Sequence, residues 1–327
     1  NAINGTGYLE LKFLKDFTFT TNYSYDYTNN NATTFYSTKV GDGQSFGGRG
    51  TRGSYNSYTQ NFNQLLAYNK VVGDHNISAK IGHEYYNYKS DSFSGQKTRF
   101  FDPLNPELDN GGQLEYISSS TSEHSIEGYF GMADYNYANK YYVSGAFRRD
   151  GTSRFLNRWG NFWSVGAAWI INRESWFNVP QFNMLKLKAS FGSQGNDSIG
   201  MYLYTDLYSV GNDGNGGVSV NFGRKGNPNI TWETNSNLNL GVEFGLWNDR
   251  LSGSIDYFYR KTTNMLFSVP VTPSLGYTSY YDNIGDMANT GFEIVLNGDV
   301  IRTRDVVWSL NANFTYVKNK VLKLPDP

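Results

Sequence analysis

The sequence predicts an all-β protein, an antiparallel transmembrane β-barrel segment of about 12 to 14 strands. Composition, the spacing of apolar residues and the lengths of the connections all support this fold class. Of 327 residues, 17% are aromatic and 35 are Gly, whereas only 8 are Pro. Tyr and Phe favour strands, and each Gly weakens a helix by about 1 kcal/mol. The composition therefore favours sheet over helix.

Composition also excludes several classes of protein. The chain has no Cys, which excludes disulfides, thiolate nucleophiles and zinc sites with Cys ligands. It carries 28 Lys and Arg against 29 Asp and Glu, so we expect no nucleic-acid partner. The longest apolar run, Val165 to Ile171, is far shorter than the roughly 20 residues of a membrane-spanning helix. A mean hydropathy of -0.55 is compatible with a barrel, because only every second barrel residue faces lipid.

Apolar and polar residues alternate with period two along many segments. Phe17 to Tyr27 has Phe, Thr and Tyr at odd positions, and Leu238 to Leu246 alternates Leu, Val and Phe with Asn, Gly and Glu. Such alternation predicts strands with one apolar and one polar face. About twelve strands follow: 3–14, 17–28, 55–70, 75–90, 124–139, 140–150, 161–172, 184–195, 232–247, 251–262, 286–300 and 306–319. Many are long enough for a tilted bilayer crossing.

The connections alternate between tight turns and long polar loops. The tight links lie at 15–16, 72–74, 139–140, 248–250 and 302–305, with a longer compact link at 173–183, and the long loops at 29–54, 91–123, 151–160, 196–231 and 264–285. This layout is typical of a bacterial outer-membrane barrel with periplasmic short turns. A soluble β-sandwich or propeller would pack mainly Val, Ile and Leu inward, whereas Tyr, Phe and Trp dominate the apolar face here.

Both chain ends are predicted on the long-loop side, because tight turns join the first and the last pairs of strands. Complete bacterial barrels ordinarily begin and end in the periplasm. We therefore expect residues 1–327 to form one partial outer-membrane barrel domain, a slice of a larger barrel whose first and last strands do not pair with each other. Neither a plug nor an N-terminal accessory domain is recognised in the sequence.

Charged residues within the alternating strands are expected to face the lumen. A Lys or Arg facing lipid at the bilayer midplane costs about 2 to 4 kcal/mol. The charges assigned to the lumen are Lys12, Asp134, Lys186, Lys188, Glu243, Asp256 and Glu293.

A series of ordered sequence blocks lies between residues 148 and 297. They include Arg148-Arg149-Asp150-Gly151-Thr152-Ser153-Arg154-Phe155, Asn157-Arg158-Trp159-Gly160, Trp163 to Trp169, Glu174-Ser175-Trp176-Phe177, Leu185 to Gly192, Asn227 to Glu233, Asn237 to Gly241, Asp256 to Tyr259 and Asn289 to Glu293. These blocks resemble the barrel of SusC/RagA-type TonB-dependent transporters. The resemblance is weak in residues 1–120.

The resemblance implies a 22-stranded barrel filled by a plug, in the outer membrane of a Gram-negative bacterium. Its implied partners are a SusD-like lipoprotein lid, a TonB complex acting through the plug region, and outer-membrane lipid. The implied function is the barrel portion of a nutrient importer, with oligosaccharides as the leading cargo and peptides next. A passive porin or structural barrel is the alternative. We expect no enzymatic activity and no cofactor.

The Arg-rich block is the first candidate site. Its charged and turn residues could bind an anionic substrate, or could close a hairpin through ion pairs. Because the resemblance extends to a family that imports different compounds, we favour a structural family motif. That motif comprises Arg148, Arg149, Asp150, Gly151, Arg154, Trp159 and Gly160.

Aromatic residues in the predicted loops are the second candidate site. They could stack on sugar rings or pack on one another. They are Tyr36, Phe46, Tyr55, Tyr204, Tyr208 and Tyr277. His75 and His83 share a strand face but lie about 26 Å apart, too far to ligate one metal. No catalytic or metal site is recognised.

Overall fold

The computed structural model describes residues 1–324, so the last three residues of the expected 1–327 domain lie outside the described residues. The described chain contains 14 strands. The strands are β1 (Ala2–Phe13), β2 (Phe17–Tyr36), β3 (Arg49–Val72), β4 (His75–Phe100), β5 (Gly111–Tyr137), β6 (Tyr141–Thr152), β7 (Trp159–Ile170), β8 (Phe182–Asn196), β9 (Leu207–Asn212), β10 (Val218–Arg224), β11 (Glu233–Leu246), β12 (Leu251–Pro270), β13 (Ser279–Arg302) and β14 (Val307–Lys323).

Helical structure is confined to short 3-10 turns in the described chain. They are Gly41–Phe46, Leu108–Asn110, Ile171–Arg173 and Pro273–Leu275. None of the helices described is long and apolar enough to cross a membrane.

Twelve strands form one sheet in the order β1 to β8 followed by β11 to β14, and β9 and β10 form a separate two-stranded ribbon. Strands β1 and β14 occupy the two ends of this order and do not pair with each other within residues 1–324. Every residue of both strands is exposed. The predicted all-β class, the strand number and the partial barrel are confirmed.

The described chain divides into two compact units. The first contains residues 1–10, 20–64 and 84–127, and the second contains residues 11–19, 65–83 and the described chain from Gly128 onward. In the first unit the buried ring of Phe100 packs edge-to-face on Phe35, with ring centroids 4.9 Å apart. Three glycines lie against Phe100: Gly48, Gly50 and Gly111. A Cβ at any of them would contact the Phe100 side chain.

Three predicted loops are shorter than expected. The segments predicted as loops 29–54, 91–123 and 264–285 are largely strand, and only 37–48, 101–110 and 271–278 connect the strands. In the extension of β5, polar residues occupy both faces, as in Ser118 to Ser122. Period two disappears where water contacts both faces of a sheet, so the sequence pattern underestimates such strands.

The predicted tight turns are confirmed. Turns of two to four residues join β1 to β2, β3 to β4, β5 to β6, β11 to β12 and β13 to β14. Three of these turns place non-glycine residues in the left-handed region, including Lys15 (φ 62°), Asn139 (φ 53°) and Asn248 (φ 57°). Asn tolerates this conformation better than most residues because its short side chain bonds to nearby backbone.

Aromatic rings form a continuous run at the tight-turn end of the second unit. Successive ring centroids lie 6.3 Å apart for Tyr137 and Tyr141, 6.3 Å for Tyr141 and Trp169, and 6.2 Å for Trp169 and Trp176. Such a row is expected where a membrane barrel meets the interface.

Glu174 anchors this run from the turn between β7 and β8. Its carboxylate accepts hydrogen bonds from the Tyr141 hydroxyl, from Trp169 Nε1 at 3.0 Å and from Lys140 Nζ at 3.4 Å. These donors, the Tyr141 hydroxyl foremost, hold the pKa of Glu174 below its ordinary value. The ionised carboxylate therefore stabilises the closure of this turn.

Candidate functional site: the polar face and the outer end of the sheet

A network of ion pairs lies on the polar face of β8, β11 and β12. The register places Lys188 opposite Gly241, and Gly241 opposite Asp256. Lys188 Nζ lies 2.9 Å from both Glu243 Oε1 and Asp256 Oδ1, and Lys186 Nζ lies 3.1 Å from Glu243 Oε2. Gly241 leaves room for this network, because a Cβ there would collide with Lys188 and Asp256.

The polar face encloses a hollow of about 780 Å³ in the second unit. Four charged residues line it: Asp134, Lys188, Asp256 and Glu293. Glu243 forms ion pairs with both Lys186 and Lys188 and so connects Lys186 to this group. Glu293 lies directly opposite Asp256 in the register of β12 and β13. The prediction that these six charges share the polar face is confirmed; the facing of Lys12 stays a prediction.

Residues of the Arg-rich block contact each other at the longer-connection end of the sheet, which we call the outer end. Arg148 Nε donates to Asp150 Oδ1 at 2.7 Å and to Oδ2 at 2.8 Å. A Cβ at Gly128 of β5 would lie 2.6 Å from Arg148 Nη2, so glycine allows the guanidinium to lie against the neighbouring strand. The Arg148 guanidinium also lies 5.5 Å from the centroid of the Phe130 ring.

Arg149 points to the opposite face of β6. Its guanidinium lies 5.2 Å from the centroid of a ring of Trp159, which in turn lies 6.2 Å from the Tyr129 ring. Gly151 lies opposite Trp159, and a Cβ there would be only 3.1 Å from the indole. Arg148 and Arg149 therefore make different contacts, one with a carboxylate and one with an aromatic row.

A hydrophobic cluster contains Phe155, the last residue of this block. It joins Phe155, Phe162, Leu203, Ile230 and Trp232, of which Phe155 is 1% and Ile230 0% exposed. The Trp232 ring packs edge-to-face on Phe155 and Phe162, at centroid distances of 5.6 and 5.4 Å. The cluster ties the connection after β6 to the long connection between β8 and β11.

Polar contacts reinforce the same junction. Trp232 Nε1 donates to the carbonyl of Arg158 at 2.9 Å, and Thr152 Oγ1 donates to Asp197 Oδ2 at 2.6 Å. Arg154 Nη1 donates to the backbone carbonyl of Asp197 at 2.8 Å. Of the motif residues, Arg154 takes part in these contacts, which hold the two connections together.

Sequence reasoning missed Asp197, Leu203, Ile230 and Trp232 as parts of this junction. The partners of Asp197 and Trp232 lie 43 to 77 residues away in sequence, and no periodicity connects them. The available signal was that Ile230 and Trp232 lie within the Asn227 to Glu233 block.

The aromatic residues predicted in loops occupy different surroundings. In the first unit Tyr36 ends β2, and Tyr55 lies within β3, where its hydroxyl is 2.5 Å from that of Tyr88. Phe46 ends a 3-10 turn and lies 4.0 Å from the Arg49 guanidinium. The placement of Tyr36 and Tyr55 in loops was wrong, because β2 extends to Tyr36 and β3 begins at Arg49.

Two of the predicted aromatics come together in the second unit. Tyr208 of β9 packs edge-to-face on Phe222 of β10 at 5.6 Å, and Phe222 lies 6.1 Å from Tyr277. Tyr208 remains 60% exposed. Tyr204, by contrast, packs against the hydrophobic cluster. The structure thus assembles Tyr208, Phe222 and Tyr277 into one aromatic group that we call the mouth aromatics.

The ribbon that carries Tyr208 and Phe222 has a closed base. Gly226 N donates to Asp206 Oδ1 at 2.8 Å, and Lys225 Nζ lies 3.1 Å from Asp206 Oδ2. These contacts, the Gly226 amide foremost, hold the pKa of Asp206 below its ordinary value. The loop predicted at 196–231 therefore contains a ribbon, whose turn is fastened by Asp213 Oδ1 accepting from the amides of Asn215 and Gly217.

The histidines lie in aromatic surroundings. His75 Nδ1 is 2.7 Å from the Tyr135 hydroxyl, and the His83 ring lies 4.8 Å from the Tyr129 ring. Within the described residues, no group of three or more His, Asp or Glu side chains is placed to hold a metal.

Residues 2–326 match the family model described as TonB dependent receptor-like, beta-barrel. The chain belongs to this family. It forms part of an outer-membrane β-barrel of a Gram-negative bacterium, so its apolar face contacts lipid and its polar face lines the interior.

Two curated relatives support the assignment. TonB-dependent receptor P3 of Formosa agariphila is 32% identical over 333 residues, which cover 98% of this chain and 33% of P3. TonB-dependent receptor SusC of Bacteroides thetaiotaomicron is 30% identical over 278 residues, which cover 82% of this chain and 27% of SusC. The chain spans about a third of the length of the curated relatives it matches.

Solved structures agree with the sequence relatives. The structure of the RagAB peptide transporter superposes with a TM-score of 0.91 at 28% identity, covering 99% of this chain and 36% of that chain. The siderophore receptor PiuA from Acinetobacter baumannii, at 15% identity and a TM-score of 0.56, shows the fold alone. The resemblance to SusC/RagA-type transporters is confirmed.

Proposed function

We propose that this chain is the barrel portion of a TonB-dependent importer of nutrients, with oligosaccharides as the leading cargo. The observation that carries this proposal is the close superposition on the RagAB peptide transporter over 99% of the chain. Because RagAB is a peptide transporter by description, peptide is the second candidate cargo.

The mouth aromatics support a saccharide cargo. An exposed ring face can stack on the apolar face of a sugar ring, as aromatic side chains combine apolar area with little flexibility. Tyr208, Phe222 and Tyr277 lie on the connections at the outer end, where binding groups vary without disturbing the strands.

The partners of the full-length protein follow from the same proposal. A SusD-like lipoprotein would cover the outer mouth, and a TonB complex would act through a plug region. Support comes from two RagAB structures, described as a peptide importer in 'closed-closed' and 'open-open' states. The mouth aromatics and the ribbon β9–β10 are the surfaces that we assign to cargo and lid.

A ribbon deletion in the full-length parent tests this assignment. Residues 207–224 are replaced by a short Gly-Ser linker, which keeps Leu203, Asp206 and Ile230 in place. Deleting residues 200–206 as well would remove part of the buried cluster and disturb folding. We expect normal barrel assembly by heat-modifiable gel mobility, with reduced lid co-purification and reduced uptake of fluorescent oligosaccharides.

Point variants separate cargo stacking from loop shape. Tyr208→Ala with Tyr277→Ala is expected to reduce oligosaccharide uptake, whereas the matched Tyr208→Phe with Tyr277→Phe keeps the rings and the uptake. Equal uptake in all variants would remove the mouth aromatics from the mechanism. If the Tyr208→Ala with Tyr277→Ala variant loses uptake of labelled peptide but keeps uptake of oligosaccharide, the peptide cargo is favoured.

The passive-porin alternative predicts a different dependence on energy. An importer of this family requires TonB, so uptake should stop in a TonB-deficient strain. Uptake that persists in that strain would favour a passive pore.

A further inference from the structure

The ribbon β9–β10 has a short turn at its tip, and side chains bind most of the backbone amides of this turn. Asp213 Oδ1 accepts from the amide of Asn215 at 2.8 Å and from the amide of Gly217 at 2.9 Å. The Gly214 amide donates to Asn212 Oδ1 at 2.7 Å. Two side chains thus bind three amides of the turn.

Gly216 has the amide of this turn that stays unbound. It has no hydrogen-bond acceptor within residues 1–324, and its φ is +85°. The carboxamide of the preceding Asn215 also makes no hydrogen bond to a described residue, and both residues are exposed. Because glycine has no Cβ, nothing crowds the Gly216 nitrogen. An accessible amide therefore directly follows a carboxamide that is free to rotate.

The sequence contains three other Asn-Gly pairs, and in one of them both groups are bound. The Gly111 amide donates to the carbonyl of Leu108. Asn110 Nδ2 donates to the carbonyl of Asp102 at 2.8 Å and to the carbonyl of Asn105 at 2.9 Å. These contacts fix the Asn110 carboxamide, so it cannot turn towards the amide that follows it.

The remaining two pairs lie inside strands. Asn297-Gly298 lies in β13, where Gly298 pairs with both neighbouring strands, and Asn4-Gly5 lies in β1 beside β2. In a strand the side chain stands out from the sheet, whereas backbone amides lie in the plane of the ladder. The carboxamide and the following amide are therefore held apart in both pairs.

We propose that Asn215 is a site of spontaneous deamidation. The Gly216 nitrogen attacks Cγ of Asn215, so that a bond forms between these two atoms and the bond from Cγ to Nδ2 breaks. Nδ2 leaves as ammonia with the proton of the Gly216 amide, and a cyclic succinimide remains. Water then opens the ring at either carbonyl, which gives aspartate or isoaspartate. The reaction needs only water and involves no oxidation or reduction.

The product changes the turn that Asp213 fastens. A new carboxylate lies beside the Asp213 carboxylate, and like charges repel. In isoaspartate the backbone also runs through the former side chain, which adds a methylene group between the amides of Asn215 and Gly217. The Asp213 carboxylate then no longer fits both amides. Deamidation therefore loosens the tip of the ribbon, and this chemistry requires neither cargo nor lid.

The test uses the purified full-length receptor, incubated in detergent at mildly alkaline pH and then digested for mass spectrometry. Electron-transfer fragmentation assigns the converted residue in each peptide. We expect Asn215 to convert about tenfold faster than Asn110 and Asn297, which corresponds to about 1.4 kcal/mol in activation free energy. In receptor unfolded by urea the three residues should convert at similar rates, because the contacts that distinguish them are then lost.

Asn215→Gln keeps a carboxamide but would have to close a larger ring, so conversion at position 215 should disappear. Asn178→Gln is the matched control, since Asn178 is exposed and is followed by Val179. It should leave the conversion of Asn215 unchanged. Hydrogen exchange of the ribbon tip should become faster after incubation of the unmodified receptor, but not after incubation of Asn215→Gln. Heat-modifiable gel mobility verifies that each variant is folded.

Equal conversion of Asn215 and Asn297 in the folded receptor would overturn the assignment. An undiminished preference for Asn215 in urea would also overturn it, because the neighbouring sequence and not the fold would then select the site. Unchanged hydrogen exchange after complete conversion would overturn the loosening of the ribbon tip.

Discussion

Gly160 illustrates how the outer end of the sheet depends on single residues. A Cβ at this position would lie 2.5 Å from Phe162 Cζ and 3.1 Å from Trp232 Cδ1. Both rings are buried, so neither can move away without disturbing the hydrophobic cluster. The glycine is therefore needed for space rather than for an unusual backbone conformation.

Gly160→Ala is expected to lower the free energy of unfolding by about 1 to 3 kcal/mol, because the added methyl overpacks the cluster. Urea unfolding of the full-length receptor in detergent measures the change. Gly145→Ala on β6 is the matched control, since a Cβ there has no atom within 4 Å. Equal stability of the two variants would contradict the space requirement.

The stability that Glu174 contributes depends on pH. Its folded-state pKa is lowered, so the stability contributed by the carboxylate is present above the unfolded-state pKa and is lost as the pH falls through the lowered value. The Tyr141 hydroxyl is the main donor responsible. Acid should therefore loosen the turn between β7 and β8.

Glu174→Gln is expected to destabilise the receptor at pH 7 and to have a smaller effect near pH 3, roughly below the ordinary pKa of a glutamate. The measurement is urea unfolding at both values of pH. Asp305→Asn, an exposed acid in the turn between β13 and β14, is the control and should change little. A loss of stability that is the same at both pH values would argue against an ionised Glu174.

Strands differ in how well their sequence predicts them. Alternation identified the faces of β8 and β11, because one face meets lipid and the other meets polar groups. It failed for the outer parts of β4 and β5, where both faces are polar. It also missed β9 and β10, although Tyr208, Val210, Val220 and Phe222 alternate with polar or small residues around a Gly-rich turn. Both strands lie within the segment predicted as the long polar loop 196–231.

The candidate site was less predictable than the strands. The sequence placed Lys188 and Asp256 on one face, but only the register of β8, β11 and β12 shows that Gly241 separates them. Contacts between strands depend on register, which alternation does not determine beyond the choice of face.

Lys188 connects three strands through its two carboxylate partners. Lys188→Gln is expected to cost about 1 to 2 kcal/mol, less than a fully buried charged hydrogen bond because the side chain is 35% exposed. A double-mutant cycle with Asp256→Asn should give a coupling of about 0.5 kcal/mol or more. The parallel cycle with Asp134→Asn, which lines the same hollow, should give none. Equal coupling in the two cycles would contradict a specific ion pair.

The whole sheet has two edges that the described residues do not pair. Strands β1 and β14 lie at opposite ends of the strand order. An unpaired edge within a bilayer leaves N–H and C=O groups without partners, each at a cost of several kcal/mol. We therefore expect both edges to pair with further strands in the full-length receptor, as the coverage of about a third of each relative suggests.

Hydrogen exchange measured by mass spectrometry tests this expectation in the full-length receptor and in the isolated 327-residue chain. Peptides from β14 should be protected in the receptor and should exchange faster in the isolated chain, because one side of the strand then lacks a partner. Peptides from β11, which pairs with β8 and β12 within this chain, serve as the internal control. Fast exchange throughout the isolated chain would mean that the sheet needs the missing strands to form at all. Equal protection of β14 and β11 in the isolated chain would show instead that β1 and β14 close the barrel on their own.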